Sequence, residues 1–155
     1  MKIAFQLLLL ITSFTSFSQD VATETKATKE ETKEYIVSTI NEHGFEKDSF
    51  DRKYKASFEG DFLRLIVLSK KGKETNGGAL YDFSNVYKFG KVDKRSNKEA
   101  YVNVYVAMSV NKTNTKWLKD KLVMLMNDSQ IAETLFRALR HYNSFFVTEK
   151  TDPRF

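Results

Sequence analysis

The chain reads as one α+β domain in which an N-terminal helix, an antiparallel sheet of five or six strands and a C-terminal helix follow in order. Three observations predict it. Apolar residues recur at helical spacing over residues 29–43, alternate with polar ones over much of 50–126, and return to helical spacing beyond 128. With 41% hydrophobic and 14% aromatic residues the composition can fill a core, which excludes a disordered chain. With 29% charged residues and a single short apolar run, it also excludes a bundle of membrane-crossing helices.

That run opens the chain. Lys2 precedes nine residues, 3–11, that are apolar apart from Gln6, and small residues lead up to Ser16-Phe17-Ser18. This is the anatomy of a signal peptide, residues 1–18, with a cut after Ser18. The run is about half the ~20 residues that span a bilayer. The expected location is therefore periplasmic or secreted. No cysteine is present, so an exported domain of this sequence carries no disulfide and holds itself together by core burial. The formal net charge of +5 is spread over alternating Lys and Glu. That is unlike the concentrated basic face of a nucleic-acid binder, so no nucleic acid is expected as partner.

Residues 19–27 are polar and Thr-rich and read as a flexible linker, 28–147 as the domain and 148–155 as a tail. Thr28-Lys29-Glu30-Glu31 has the form of a capping box. Thr32, Ile36, Ile40 and His43 then share a face, and Gly44 is expected to be a left-handed cap. The first helix is thus 29–43. Phe50, Tyr54, Ala56 and Phe58 mark a strand, Glu59-Gly60-Asp61 a tight hairpin, and 62–68 a return strand apolar enough to be covered on both faces. A polar, glycine-bearing loop spans 70–78. Two further strands are expected at 80–83 and 86–94, the second with Tyr87 and Phe89 on one face. Over 100–110, Val102, Val104, Val106, Met108 and Val110 alternate with Tyr101, Asn103 and Tyr105. A last strand covers 117–126. The second helix is capped by Asn127 or Asp128; with Asn127 as cap, Gln130 completes a second capping box. Its apolar stripe is Ile131, Leu135, Ala138, Leu139 and Tyr142, and Phe145 and Phe146 close over the core. Periodicity leaves open whether the sheet stays open or curls into a split barrel.

A signal peptide ending Ser-Phe-Ser-Gln, a Lys/Glu/Thr-rich first helix, a β-meander and a helix written Asp-Ser-Gln-Ile-Ala-Glu-Thr-Leu-Phe-Arg-Ala-Leu-Arg-His-Tyr over 128–142 together resemble a loosely related set of small exported Bacteroidota proteins. That set is similar to pleckstrin-homology-like sheets closed by a C-terminal helix. The resemblance implies a periplasmic or surface setting and carries no catalytic residue.

Little in the chain suggests chemistry. His43 and His141 each fall near the end of a helix, where they complement its dipole. No His-x-x-x-His or cysteine pattern exists to hold zinc, no Gly-x-Ser-x-Gly elbow is present, and no cofactor motif stands out. Glu59 and Asp61 flank Gly60, but at a hairpin tip they are expected to be solvated. A hydrolase using Glu59, Asp61 or His141 is the weakest reading. Two groups suit binding instead. Lys70, Lys71 and Lys73 surround Gly72 in a loop that could meet an anionic lipid or polysaccharide. Tyr81, Tyr87, Tyr101, Tyr105 and Trp117 lie on strands, where rings two and four residues apart share a face and could anchor a glycan or a protein of the cell envelope. The leading expectation is an exported, non-catalytic binding domain that uses a sheet face, with peripheral membrane contact through the basic loop as the alternative.

Overall fold

The first helix, α1 (Lys29–His43), starts where its capping box closes: Glu31 N donates to Thr28 Oγ1 at 3.3 Å and Thr28 N to Glu31 Oε2 at 2.7 Å. A computed structural model describes residues 26–47, 49–96, 98–111 and 113–150, the last three by backbone alone. The expected signal peptide, most of the linker and residues 151–155 lie outside the described residues. After α1 come β1 (Gly44–Glu46), β2 (Tyr54–Glu59), β3 (Phe62–Val67), β4 (Ala79–Lys94), β5 (Ala100–Ser109), β6 (Trp117–Met126) and α2 (Ser129–Lys150). The α+β layout is as expected, with six strands.

Gly44 does not take the expected left-handed cap. Its backbone is extended (φ −93°, ψ 135°), and the chain passes straight from helix into β1. Glycine is required because a Cβ there would lie 2.7 Å from the Ile40 carbonyl oxygen. β1, which pairs Phe45 with Leu125 of β6, is too short to show a period in the sequence.

All six strands pair antiparallel in the order β1-β6-β5-β4-β3-β2. Glu59 pairs with Phe62 across the two-residue turn Gly60-Asp61, and Gly60 supplies the positive φ of 61° that the turn needs. β3 is not covered on both faces: Leu63, Leu65 and Val67 are buried, whereas Phe62, Arg64 and Ile66 are only partly so. The strands expected at 80–83 and 86–94 are one strand, β4, with register shifts between Asp82 and Val86, Val86 and Lys88, and Phe89 and Val92. Asp82 shapes the first irregularity by accepting from Ser84 N at 2.9 Å and from the Asn85 amide. These shifts also separate Tyr87 from Phe89. Phe89 packs edge-on against Phe136 of α2, while Tyr87 is exposed.

The sheet is open in its strand order, yet its edges approach each other. Phe45 of β1 bridges to Lys53, and Glu46 N donates to Arg52 O at 2.8 Å. Farther along the β2 edge, the Asn41 side chain of α1 accepts from Ala56 N at 2.6 Å and donates to Ala56 O at 3.3 Å, standing in for a neighbouring strand.

Both helices pack on one face, where Ile36, Ile40, Leu135, Leu139 and Tyr142 meet Leu63, Phe83, Val102, Val104, Val106 and Met124, all fully buried. α2 is capped by Asp128, whose Oδ1 accepts from Gln130 N at 2.8 Å and Ile131 N at 2.9 Å. Asn127 is therefore not the cap, and its side chain bonds the His43 ring at 2.9 Å. Ala132 and Phe146 join the buried stripe, with Ile131 and Ala138 at its margin. The helix continues through Lys150.

Asp61 joins three elements. It pairs with Lys29 at 2.9 Å and Lys33 at 3.1 Å on α1, and its carbonyl accepts from the Tyr142 hydroxyl of α2 at 3.0 Å. Neither hairpin carboxylate is simply solvated as expected. Glu59 is held below the usual range by its hydrogen bonds from Arg64. Partial burial alone would raise the Asp61 pKa, but the two ammonium groups outweigh it and hold it below its ordinary 3.8. A lowered folded value gives stability that is present above pH 3.8 and lost as the pH falls through the folded value. Asp61→Asn should cost about 1 kcal/mol or less at neutral pH, because the carboxylate is part-exposed and screened. The variant should also lose stability less steeply than the parent below pH 3.8 in urea titrations. An unchanged acid profile would show that the network does not contribute.

Candidate functional site on the helix-free sheet face

Alternation on the central strand builds this face. Because Val102, Val104 and Val106 point to the helices, Tyr101, Asn103 and Tyr105 point away. Register then sets their neighbours. Tyr101 lies between Asp93 of β4 and Leu125 of β6, Asn103 opposite Val123, and Tyr105 between Lys88 and Lys121. Lys119 stands opposite Ala107 on the same face.

Each ring carries a cation. The Arg95 guanidinium lies 5.0 Å from the centre of the Tyr101 ring. Lys119 Nζ lies 5.4 Å from the Tyr87 ring and 5.6 Å from the Tyr105 ring, and Lys121 Nζ 5.8 Å from Tyr105. Contacts of this kind at a surface are worth about 0.5–1 kcal/mol each. Among the described residues, Lys88, Arg95, Lys119 and Lys121 have no carboxylate within ion-pair distance. Elsewhere Arg52 pairs with Glu46, Lys55 with Glu74, Arg64 with Glu59 and Lys94 with Glu133.

Two shallow depressions meet on this face. One, of about 230 Å³, is lined by Lys88, Gly90, Lys91, Tyr105 and others; the second, of about 150 Å³, by Lys47, Arg95, Tyr101 and Val123 among others. Asp93, Asn103 and Lys121 line both. The Asn103 amide donates to Lys91 O at 3.2 Å and Tyr101 O at 3.3 Å, which fixes the side chain at the junction. Gly90 lines the first depression, and a Cβ there would lie 2.7 Å from Asn103 O.

The other residues singled out from the sequence lie apart from this cluster. Tyr81 is buried on the helix-bearing face, and burial raises its pKa well above the ordinary value. Tyr54 is buried there too, and burial, followed by the Glu46 charge, pushes it up to about 12. Trp117 is on the helix-free face but is engaged: its ring meets Phe62 at 5.1 Å and its Nε1–H donates to Asn114 O at 3.0 Å. Beside it a depression of about 470 Å³ is lined by Arg64, Leu80, Ser109, Asn111 and others. Its polar groups bond one another: Arg64 to Glu59 and Gly77 O, Ser109 to Asn114, and Asn111 to Thr113 and Thr115. Lys70, Lys71 and Lys73 sit in the β3–β4 loop. Lys70 pairs with Asp51 at 3.2 Å and lines a separate depression, while Lys71 and Lys73 are exposed.

The hydrolase candidates do not converge. Glu59 is bound to Arg64 and Asp61 to Lys29 and Lys33. His141 is well inside α2 rather than in its last turn, and its Nε2 bonds Ala27 O at 2.9 Å. None of the three lines any of these depressions.

The four cations of the face escaped the sequence reading because they come from three places in the chain: Lys88 on β4, Arg95 beyond its end, and Lys119 and Lys121 on β6. Only the spacing of Lys119 and Lys121, two apart on a strand, was a local signal.

No protein-family model matches the chain, and no curated protein or solved structure is similar enough to match it.

This division of labour has a measurable consequence. Trp117→Ala should cost about 2 kcal/mol of unfolding free energy, because it removes a packed ring and a hydrogen bond. Lys121→Gln should stay within about 0.5 kcal/mol, as expected for a surface cation. Denaturant titration of both variants checks this, and equal costs would contradict it.

Proposed function

We propose that this chain is an exported, non-catalytic binding domain of the cell envelope that holds an anionic partner on its helix-free sheet face. The observation that carries the reading is the set of unpaired cations, Lys88, Arg95, Lys119 and Lys121, gathered around Tyr87, Tyr101 and Tyr105. Like charges held together with no carboxylate at ion-pair distance weaken the fold slightly, and an anion bound among them relieves that repulsion. Export is supported by residues 1–18, and the envelope setting by the resemblance described for the sequence. A second reading places anionic lipid or polysaccharide on the β3–β4 loop. With Lys70 engaged by Asp51, that reading rests on Lys71 and Lys73.

A charge-reversal comparison separates the two. Binding of the full chain is measured to polyglutamate, polygalacturonate and phosphatidylglycerol vesicles, with two double variants beside the parent. Lys119→Glu with Lys121→Glu should weaken the tightest of these interactions by about tenfold or more, and Lys71→Glu with Lys73→Glu should change it little. The reverse pattern favours the loop. Binding to none of the three probes contradicts both.

A further inference from the structure

We infer that the partner of this face is an acidic polysaccharide, an extended chain bearing carboxylate or sulfate groups among free hydroxyls; this rests on the binding role proposed above. The first argument is shape. The two depressions share Asp93, Asn103 and Lys121, so they form one groove crossing β4, β5 and β6. Tyr101 and Tyr105 mark its two ends, four residues apart on one strand, or about 13 Å. A single small anion is too short to engage Arg95 at one end and Lys88 at the other. An extended chain reaches both.

The second argument is what covers the rings. A single-stranded nucleic acid stacks its bases on open aromatic faces. Here Arg95 lies over Tyr101 and Lys119 over both Tyr87 and Tyr105, at 5.0–5.6 Å. The rings therefore hold cations in place and do not offer themselves for stacking. A lipid surface is excluded on different grounds. Its headgroups meet what protrudes, and would leave out Gly90 and Asn103, which line the groove and are only partly exposed.

The third argument is Asp93. It is the one carboxylate lining the groove, at the point where both depressions meet. It repels any polyanion, but a chain with free hydroxyl groups regains hydrogen bonds to its carboxylate, whereas polyglutamate and polyphosphate, which lack hydroxyls, do not. The Asn103 side-chain oxygen and the Tyr105 hydroxyl add polar partners of the same kind. Cations at both ends and a hydroxyl acceptor between them match a chain whose units carry both charge and hydroxyls. An extended acidic peptide would need unpaired strand backbone for its main-chain bonds, and β5 is paired along both sides.

The test is isothermal titration of the full chain with polygalacturonate, neutral dextran, polyglutamate, an oligo-deoxythymidine and phosphatidylglycerol vesicles. Polygalacturonate should bind tightest, dextran not at all, and Lys121→Glu should weaken polygalacturonate binding by about tenfold or more. Asp93→Ala separates the polymer classes: it should strengthen binding of polyglutamate and weaken that of polygalacturonate. Tighter binding of polyglutamate, the oligonucleotide or vesicles than of polygalacturonate overturns the polysaccharide inference and leaves the anionic-face reading standing. So does an Asp93→Ala variant that binds polygalacturonate more tightly. Binding of no anionic probe overturns both.

Discussion

The alternation of strand β5 is the constraint on which the rest of the structure depends. It sits between β4 and β6, paired along both sides, and it sends Val102, Val104 and Val106 to the helices with no exposed surface. Fully burying a side chain of this type is worth about 1.5–3 kcal/mol. A slip of one residue would turn all three valines to solvent and Tyr101, Asn103 and Tyr105 inward. The core therefore holds the candidate site in place. The spacing of the two tyrosines, the position of Asn103 between them, and the approach of Lys88 and Lys121 to Tyr105 all follow from a register that burial enforces.

On the helix-bearing side Asp61 binds Lys29 and Lys33 and accepts from Tyr142 through its carbonyl, so the hairpin, α1 and α2 meet at one residue. Burial and the Asp61 charge both raise the Tyr142 pKa, which keeps its hydroxyl protonated as a donor there. On the opposite face Arg95, Lys119 and Lys121 rest on rings rather than on carboxylates. The rings offset part of the repulsion among these cations, and an anion held between them would relieve the rest.

Much of the architecture was legible because it is encoded locally. The Thr28 capping box, the helix it starts, the Gly60-Asp61 turn and the two-residue period of β5 each follow from a few neighbouring residues. What was missed depends on distance. β1 exists because β6 offers it a partner, and Gly44 is extended because the chain enters that strand directly. β4 reads as two strands because its bulges break the period, and the same bulges place Phe89 and Tyr87 on opposite faces. At the site, the tyrosines were visible as a pattern, but their cations were not, since Lys119 meets Tyr87 and Tyr105 only once three strands are assembled. Trp117 looked like a ligand platform until Phe62, fifty-five positions earlier in the chain, proved to occupy its ring.

The central claim, that the helix-free face is where this protein meets an anionic partner, is tested most directly by mapping backbone amide chemical shifts during titration with polygalacturonate. The account predicts that the largest changes fall on Lys88, Tyr101, Asn103, Tyr105 and Lys121, with Lys71 and Lys73 unmoved. Changes confined to the β3–β4 loop, or spread evenly over the surface, would contradict it.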